Sequence, residues 1–405
     1  MTDLASAPQT EGPVSISVSE LDVDPHGIYR RYRSRTPVLR REDGVYLALR
    51  AADIQSLMTD PRTRQMETEL VALRGVTSGA LFNFFRYNML FSNGTDHTRR
   101  RSPMTRTFAF RMIAELRPRL RALADDLLDQ CYSQGEMDFL EGFAAAIPAH
   151  TIAAILGMPD ADIQHFTSSV YVLSKALSGS WTIADIPEFD KAAGDLYRYV
   201  SDLIEDRRKN PREDFLSTYV QAVDRAGDLS SLEAVTQIVT VVLGGSDTTR
   251  AAMAMQVAIL LQHREQWETI CQDEGWIPAA VSEALRFEPS VASVPRFTLT
   301  EIEIGDQTIP AGRAIALVTM AAMRDPELYA DPDTFDIFRK QPRWHLAFGG
   351  SAHRCLGEAL ARAELEEGLA ALTARLPHLR ILGDRPVLKG HAGIRQISDM
   401  RVAWS

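Results

Sequence analysis

The residues best suited to chemistry surround one cysteine. In Phe348-Gly349-Gly350-Ser351-Ala352-His353-Arg354-Cys355-Leu356-Gly357 an aromatic ring, a glycine pair, a histidine and a lone thiol lead into an amphipathic run. From Leu356 to Leu376 the apolar residues Leu356, Ala359, Leu360, Ala363, Leu369, Leu372 and Leu376 recur close to a 3.6 period, and Pro377 stops the pattern, so a helix is predicted there. Cys355 is therefore expected at a helix N-terminus, where unpaired amides and the dipole favour a thiolate. Gly349, Gly350 and Gly357 let backbone amides and a flat ligand come close. This chemistry points to a thiolate ligand to iron. The plain alternative is a buried structural cysteine at the head of a helix.

A second cluster interrupts a longer pattern. Ser230, with Glu233 three residues on, reads as a capping box, and the helical pattern continues to about His263, some 33 residues or roughly 50 Å. Inside it, Gly244-Gly245-Ser246-Asp247-Thr248-Thr249-Arg250 places two adjacent glycines, each costing about 1 kcal/mol relative to alanine. A closely approaching flat group would compensate. The polar residues of the same run argue against a membrane span. Thr248 beside Asp247 can relay protons, an alcohol backed by a carboxylate. Read plainly, Thr248 bonds back to a carbonyl one turn earlier and Asp247 pairs with an arginine. His97 and Arg101 lie four apart on one helical side, and both pair well with carboxylates.

Together these motifs resemble the cytochrome P450 family. Five of the six fixed positions of that family's haem loop, Phe-Gly-x-Gly-x-His-x-Cys-x-Gly, are matched, and the departure is Ser351 in place of glycine. The resemblance implies Cys355 as the iron ligand in a haem b site contacted by Phe348, His353, Gly357 and Gly244. It implies His97, Arg101, Arg296 and His353 as partners of the haem propionates. The oxygen-activation pattern Ala/Gly-Gly-x-Asp/Glu-Thr is matched in full by Gly244, Gly245, Asp247 and Thr248. Glu283 and Arg286, joined by Arg339, would brace the core on the haem side. Ala322-Met323-Arg324-Asp325-Pro326 is similar to the family's Ala-Asn-Arg-Asp-Pro, with Met323 departing from it.

The implied reaction is monooxygenation, with one atom of O2 inserted into a small apolar substrate. Two electrons must come from a separate ferredoxin or flavodoxin with its reductase, because the chain has no dinucleotide fingerprint and no iron–sulfur cysteine spacing. Arg99, Arg100 and Arg106 are then a positive patch suited to an acidic electron donor. Three alternatives stay open: a peroxide-dependent member, a haem-thiolate binding or sensing protein without turnover, and a haem-free helical protein with a structural Cys355. The Asp247–Thr248 pair counts against the first two.

At 405 residues the length alone would allow two or three domains, yet the resemblance implies one mostly helical unit with a small β region, the cytochrome P450 fold. A net charge of -10 argues against nucleic acid and anionic membrane surfaces as partners. Cys131, Cys271 and Cys355 are too scattered for a disulfide framework or a zinc cluster, which suits a reducing cytoplasm. Residues 1–20 are expected to be flexible, with neither a signal peptide nor an anchoring helix. A monomer is expected.

The elements that must hold these groups are legible in outline. Val38 to Leu49 around Asp43-Gly44, and Thr300 to Val318, read as hairpins. Phe139 to Pro159 resembles the family's central packing helix, and the resemblance implies that Ile163 to Phe189, around Gly179, is the lid of the pocket, with a surface helix pair as the plain alternative. Leu81 to Phe91 lacks a clean period; the resemblance implies a loop over the distal side, with plain core as the alternative. Leu81, Phe84, Phe85, Leu243, Val291, Ala292, Val294 and Ile394 are the expected substrate-lining residues, favouring an aromatic or terpenoid molecule.

Overall fold

The computed structural model describes residues 12–404 apart from 109, 179, 180, 341, 343 and 344. Residues 1–11 of the expected flexible segment, and Gly179, lie outside the described residues. The rest of that segment is ordered. Ser15–Ile16 pairs in parallel with Arg40 and Arg41, and Ser17 forms a capping box with Glu20 at the head of the helix Val18–Val23.

Helices dominate, and the strands form small sheets at the periphery. The largest has six strands in the order Ser15–Ile16, Val38–Arg41, Tyr46–Ala48, Ala314–Leu317, Val294–Thr298 and Thr63–Gln65. The predicted hairpin around Asp43-Gly44 supplies two of these strands, antiparallel, with Val38 opposite Ala48. Ile302–Ile304 and Gln307–Ile309 form the second predicted hairpin. Val294–Thr298 lies antiparallel to both Ala314–Leu317 and Thr63–Gln65, which sets Arg296 opposite Gln65, two residues from Thr63 on the same face.

The long helix spans Ser231–Leu260, ending before His263. Its capping box is formed: Glu233 N donates to Ser230 Oγ at 3.2 Å, and Ser230 N donates to Glu233 Oε2 at 3.0 Å. The helix belongs to two apolar cores. Residues from Ala234 to Leu243 pack into one cluster with Leu360 and Ala363, and residues from Ala251 to Leu260 into another with Leu365, Leu369 and Leu372. Gly244 to Arg250 falls at the seam. The buried polar groups of the run are tolerated there because they are hydrogen-bonded, Ser246 Oγ to Val242 O and Asp247 to Arg250.

The helix that follows the cysteine spans Glu358–Arg375, two residues later than Leu356 predicted, with Gly357 as its cap. Cys355 consequently sits in the preceding loop, not in the first turn. The helix Phe110–Cys131 braces this cysteine helix through Arg117 with Glu366 and Glu367, and through Asp129 with Arg375. Leu81 to Phe91, expected as a loop, is a helix Gly79–Tyr87 followed by a short 3-10 turn Met89–Phe91. Leu81, Phe84, Phe85, Met89 and Phe91 are buried in one core, whereas Leu90 is exposed. The central packing helix, Ala146–Leu156, follows a single π-helical turn, Leu140–Ala144. The region expected as the lid, Ile163 to Phe189, holds the helix Ile163–Ser174 and the first turn of the helix Ile186–Lys209. Among the described residues no helix is long and apolar enough to cross a membrane.

Candidate active site

The sulfur is held by a closed loop. Cys355 N donates to Phe348 O at 2.9 Å, and Arg101 Nη2 donates to Arg354 O at 2.6 Å, tying the loop to the helix Gly94–Thr107. Gly349 takes φ +66, as a glycine can. Ser351 takes φ +56, the left-handed conformation its glycine counterpart would adopt without strain. The departure from the motif is thus met by a strained serine in the glycine conformation. Cys355 is reachable by solvent, yet burial dominates its proton affinity. Burial pushes the thiol up, opposed by the Gly357 N–H and by the charges of Arg101 and Arg354. The expected thiolate is therefore not secured by the protein's own groups. A metal cation would secure it, since a coordinating thiol loses its proton outright.

Basic groups converge beside this loop. The His97 and His353 rings lie 4.0 Å apart between centroids. Burial, with His97, Arg296 and Arg101 nearby, pushes the His353 imidazole down to about 3. His97 is lowered by burial and then by Arg101, and its Nε2 is buried without a hydrogen-bond partner. Arg296, which is 7% exposed, donates through Nε and Nη2 to Thr63 at 2.9–3.0 Å. A ring of imidazoles and guanidinium groups with a buried donor to spare fits the carboxylates of a ligand. The four residues picked for that role come together; Thr63, which holds Arg296, left no signal in the sequence. Among the described residues no group of three His, Cys, Asp or Glu side chains is placed to hold a metal unaided.

On the long helix Gly244 is exposed within a largely buried stretch, and a Cβ there would meet nothing within 4 Å. Space for a flat group thus opens at the predicted point. Thr248 Oγ1 donates back to Gly244 O. Asp247, 3% exposed, accepts from Arg250 Nη2 at 2.9 Å and from Gln396 Nε2 at 3.4 Å. Both plain alternatives raised from the sequence are therefore the observed bonds. Thr248 and Asp247 do not bond to each other in this arrangement.

Several expectations need correcting. Leu81, Phe84, Phe85 and Ala292 are 0% exposed and Leu243 is 1%, so close packing leaves them no surface for a ligand. Val291 and Val294 are half-buried, and Ile394, bridged to Val291 in an antiparallel pair, is 8% exposed. Half-buried Phe82 and Val241, not singled out from the sequence, pack against the core that holds Leu81, Phe84, Phe85 and Leu243. Arg100 is buried and donates to Glu233 at 3.0 Å and to Ser92 Oγ at 2.6 Å, while Arg99 pairs with Asp96 and Glu233. The proposed docking patch therefore loses two of its three arginines to the head of the long helix. Arg106 remains exposed.

Glu283 and Arg286 form a fully buried two-point pair at 2.7 and 2.8 Å, and Arg339 Nε reaches Glu283 at 3.2 Å. Arg286 also donates to Met323 O at 2.9 Å. The Ala-Met-Arg-Asp-Pro segment thus engages the buried pair through its backbone, which explains why the Met323 side chain can depart from the motif.

Comparison with known proteins agrees with this geometry. The family model for Cytochrome P450 matches residues 276–378. The plant-inducible cytochrome P450-pinF1 of Rhizobium radiobacter is 45% identical over 393 residues, covering 97% of this chain and 93% of that protein. Nocardicin C N-oxygenase of Nocardia uniformis subsp. tsuyamanensis is 32% identical, covering 89% and 90%. Among solved structures, CalO2 superimposes with a TM-score of 0.88 at 28% identity, covering 96% of this chain and 97% of that one. With a helical architecture, a cysteine loop and a glycine-opened long helix of the same order, the chain belongs to the cytochrome P450 family and is a haem-thiolate monooxygenase.

Proposed function

We propose that the chain folds as one unit that binds haem b through Cys355 and hydroxylates or epoxidises a small apolar molecule. The reaction would balance as substrate, O2, two electrons and two protons giving oxygenated product and water. Bound haem would supply the dioxygen chemistry, with the cysteine thiolate as electron-donating ligand. The chain's own residues do the rest. His97, Arg101, Arg296 and His353 would hold the two propionates by charge-assisted bonds. Phe348 and Gly357 would line the sulfur side and Gly244 the opposite face. Thr248 would pass protons at its hydroxyl, resupplied from Asp247, once the Gly244 carbonyl releases it. Val291, Val294 and Ile394, with Phe82 and Val241, would form the apolar wall that selects substrate and excludes water.

The observation that carries this reading is the convergence of Cys355 with the basic ring around an unpartnered His97 nitrogen. Electrons would come from a ferredoxin or flavodoxin, and the protein would act in the cytoplasm as a monomer; its three cysteines are all unpaired, which suits a reducing compartment. Reduction under carbon monoxide should give the red-shifted Soret band of a thiolate-ligated haem, lost in Cys355→Ser; a wild-type spectrum without it overturns the assignment. A panel of apolar compounds should shift the spin state, and a response confined to strongly polar compounds would overturn the pocket. In Thr248→Ala, electron consumption should persist while a larger share ends as hydrogen peroxide; unchanged coupling would remove Thr248 from the proton path.

A further inference from the structure

Asp247 is held by more than its own helix. Residues 247 and 250 share a helical face, so the carboxylate turns toward Arg250, roughly 100° around the helix from Thr248. Arg250 is gripped in turn. Its guanidinium carbon lies 4.3 Å from the ring centroid of Tyr171, on the lid helix Ile163–Ser174. Its Nη1 reaches Glu141 of the π-helical turn at 3.2 Å. Two buried polar atoms of this cluster have no hydrogen-bond partner: Arg250 Nε and the Tyr171 hydroxyl. Between these two side chains the contact is the stack on the ring, not a hydrogen bond from the hydroxyl, and it adds to the apolar packing of Phe166, Val170 and Leu173 against the long helix.

We propose that Arg250 and Tyr171 are positioning residues for the proton path, the Tyr171 ring fixing the guanidinium that orients and neutralises Asp247. The inference rests on the reading of Asp247 and Thr248 given above. It makes the seating of the lid helix part of proton supply: while Tyr171 is stacked, Asp247 keeps its counter-charge in a site too buried to lose it. Should the ring leave, Arg250 has Glu141, whose side chain is 61% exposed, as its other anchor, and Asp247 is left to Gln396. A cation over an aromatic ring in a partly desolvated site is strong enough to matter for orientation.

The test uses the haem-loaded protein with a surrogate ferredoxin and reductase, and the variants Tyr171→Phe, Tyr171→Leu, Arg250→Lys and Arg250→Gln beside Thr248→Ala. Tyr171→Phe keeps the ring and should match wild type in the share of electrons released as hydrogen peroxide. Tyr171→Leu and Arg250→Gln should at least double that share, and Arg250→Lys should recover part of the loss. Independently of turnover, thermal unfolding of Tyr171→Leu/Arg250→Gln should show non-additivity, the double variant losing no more than the worse single one. Additive losses, normal coupling in Tyr171→Leu, or a Tyr171→Phe variant as impaired as Tyr171→Leu would each overturn the proposal. Unchanged coupling in Thr248→Ala alongside intact non-additivity would fault the proton-path reading instead, leaving the clamp in place.

Discussion

Glu364 lies on the cysteine helix, 2% exposed in the core, and burial pushes its carboxyl up to about 8. Burial is the whole cause: the neighbouring Thr151 hydroxyl, 3% exposed, pulls the other way but is too weak to reverse it, and its Oγ1 also donates to Ile147 O at 2.7 Å. In the unfolded chain the group titrates near 4.5. Between that value and about 8 the folded state binds more protons than the unfolded one, so stability falls as pH rises through this window and levels off above it. The displacement corresponds to roughly 4 kcal/mol by pH 8, a limit that relaxation of the core would reduce. Glu364→Gln keeps the shape and a hydrogen-bonding amide beside Thr151 without an ionisable proton. It should be near neutral at pH 5 and more stable than wild type by up to about 4 kcal/mol at pH 8, about 5 °C in Tm for a chain of this length. Thermal unfolding of both proteins from pH 5 to 9 reads this directly. A variant that tracks wild type across the range, or is the less stable at pH 8, refutes the reasoning.

Other perturbations follow from the same geometry. Ser351→Gly removes the left-handed strain at φ +56 and should raise stability by about 0.5–1 kcal/mol, less the entropy glycine gains when unfolded; a lower Tm than wild type would count against it. Glu283→Gln strips the counter-charge from the fully buried Arg286 and should cost about 3–5 kcal/mol, seen as a large drop in folded yield, whereas a loss under about 1 kcal/mol would show that the pair is dispensable. Because Met323 serves Arg286 through its carbonyl and its side chain is 0% exposed, Met323→Leu should cost less than about 1.5 kcal/mol, and Met323→Asn more, by burying an amide. Equal effects would place the side chain in a polar environment.

Short-range chemistry was legible from the chain alone: the capping box at Ser230 and Glu233, both hairpins, the long helix with its glycine break, and the cysteine ahead of an amphipathic run. These depend on residues a few positions apart, so the bonds that decide them are written locally. The family followed from motif order for the same reason. What the chain could not settle was the facing of side chains from distant segments. Arg99 and Arg100 read as free cations until the head of the long helix brought Glu233 to them, and Leu81, Phe84 and Phe85 read as pocket until close packing took all their surface. Nor could it show that Tyr171, some eighty positions before Arg250, would be the ring on which that guanidinium rests. Such pairings are set by how two apolar cores meet at the polar seam of one helix, a property of the packed whole that no window of sequence contains.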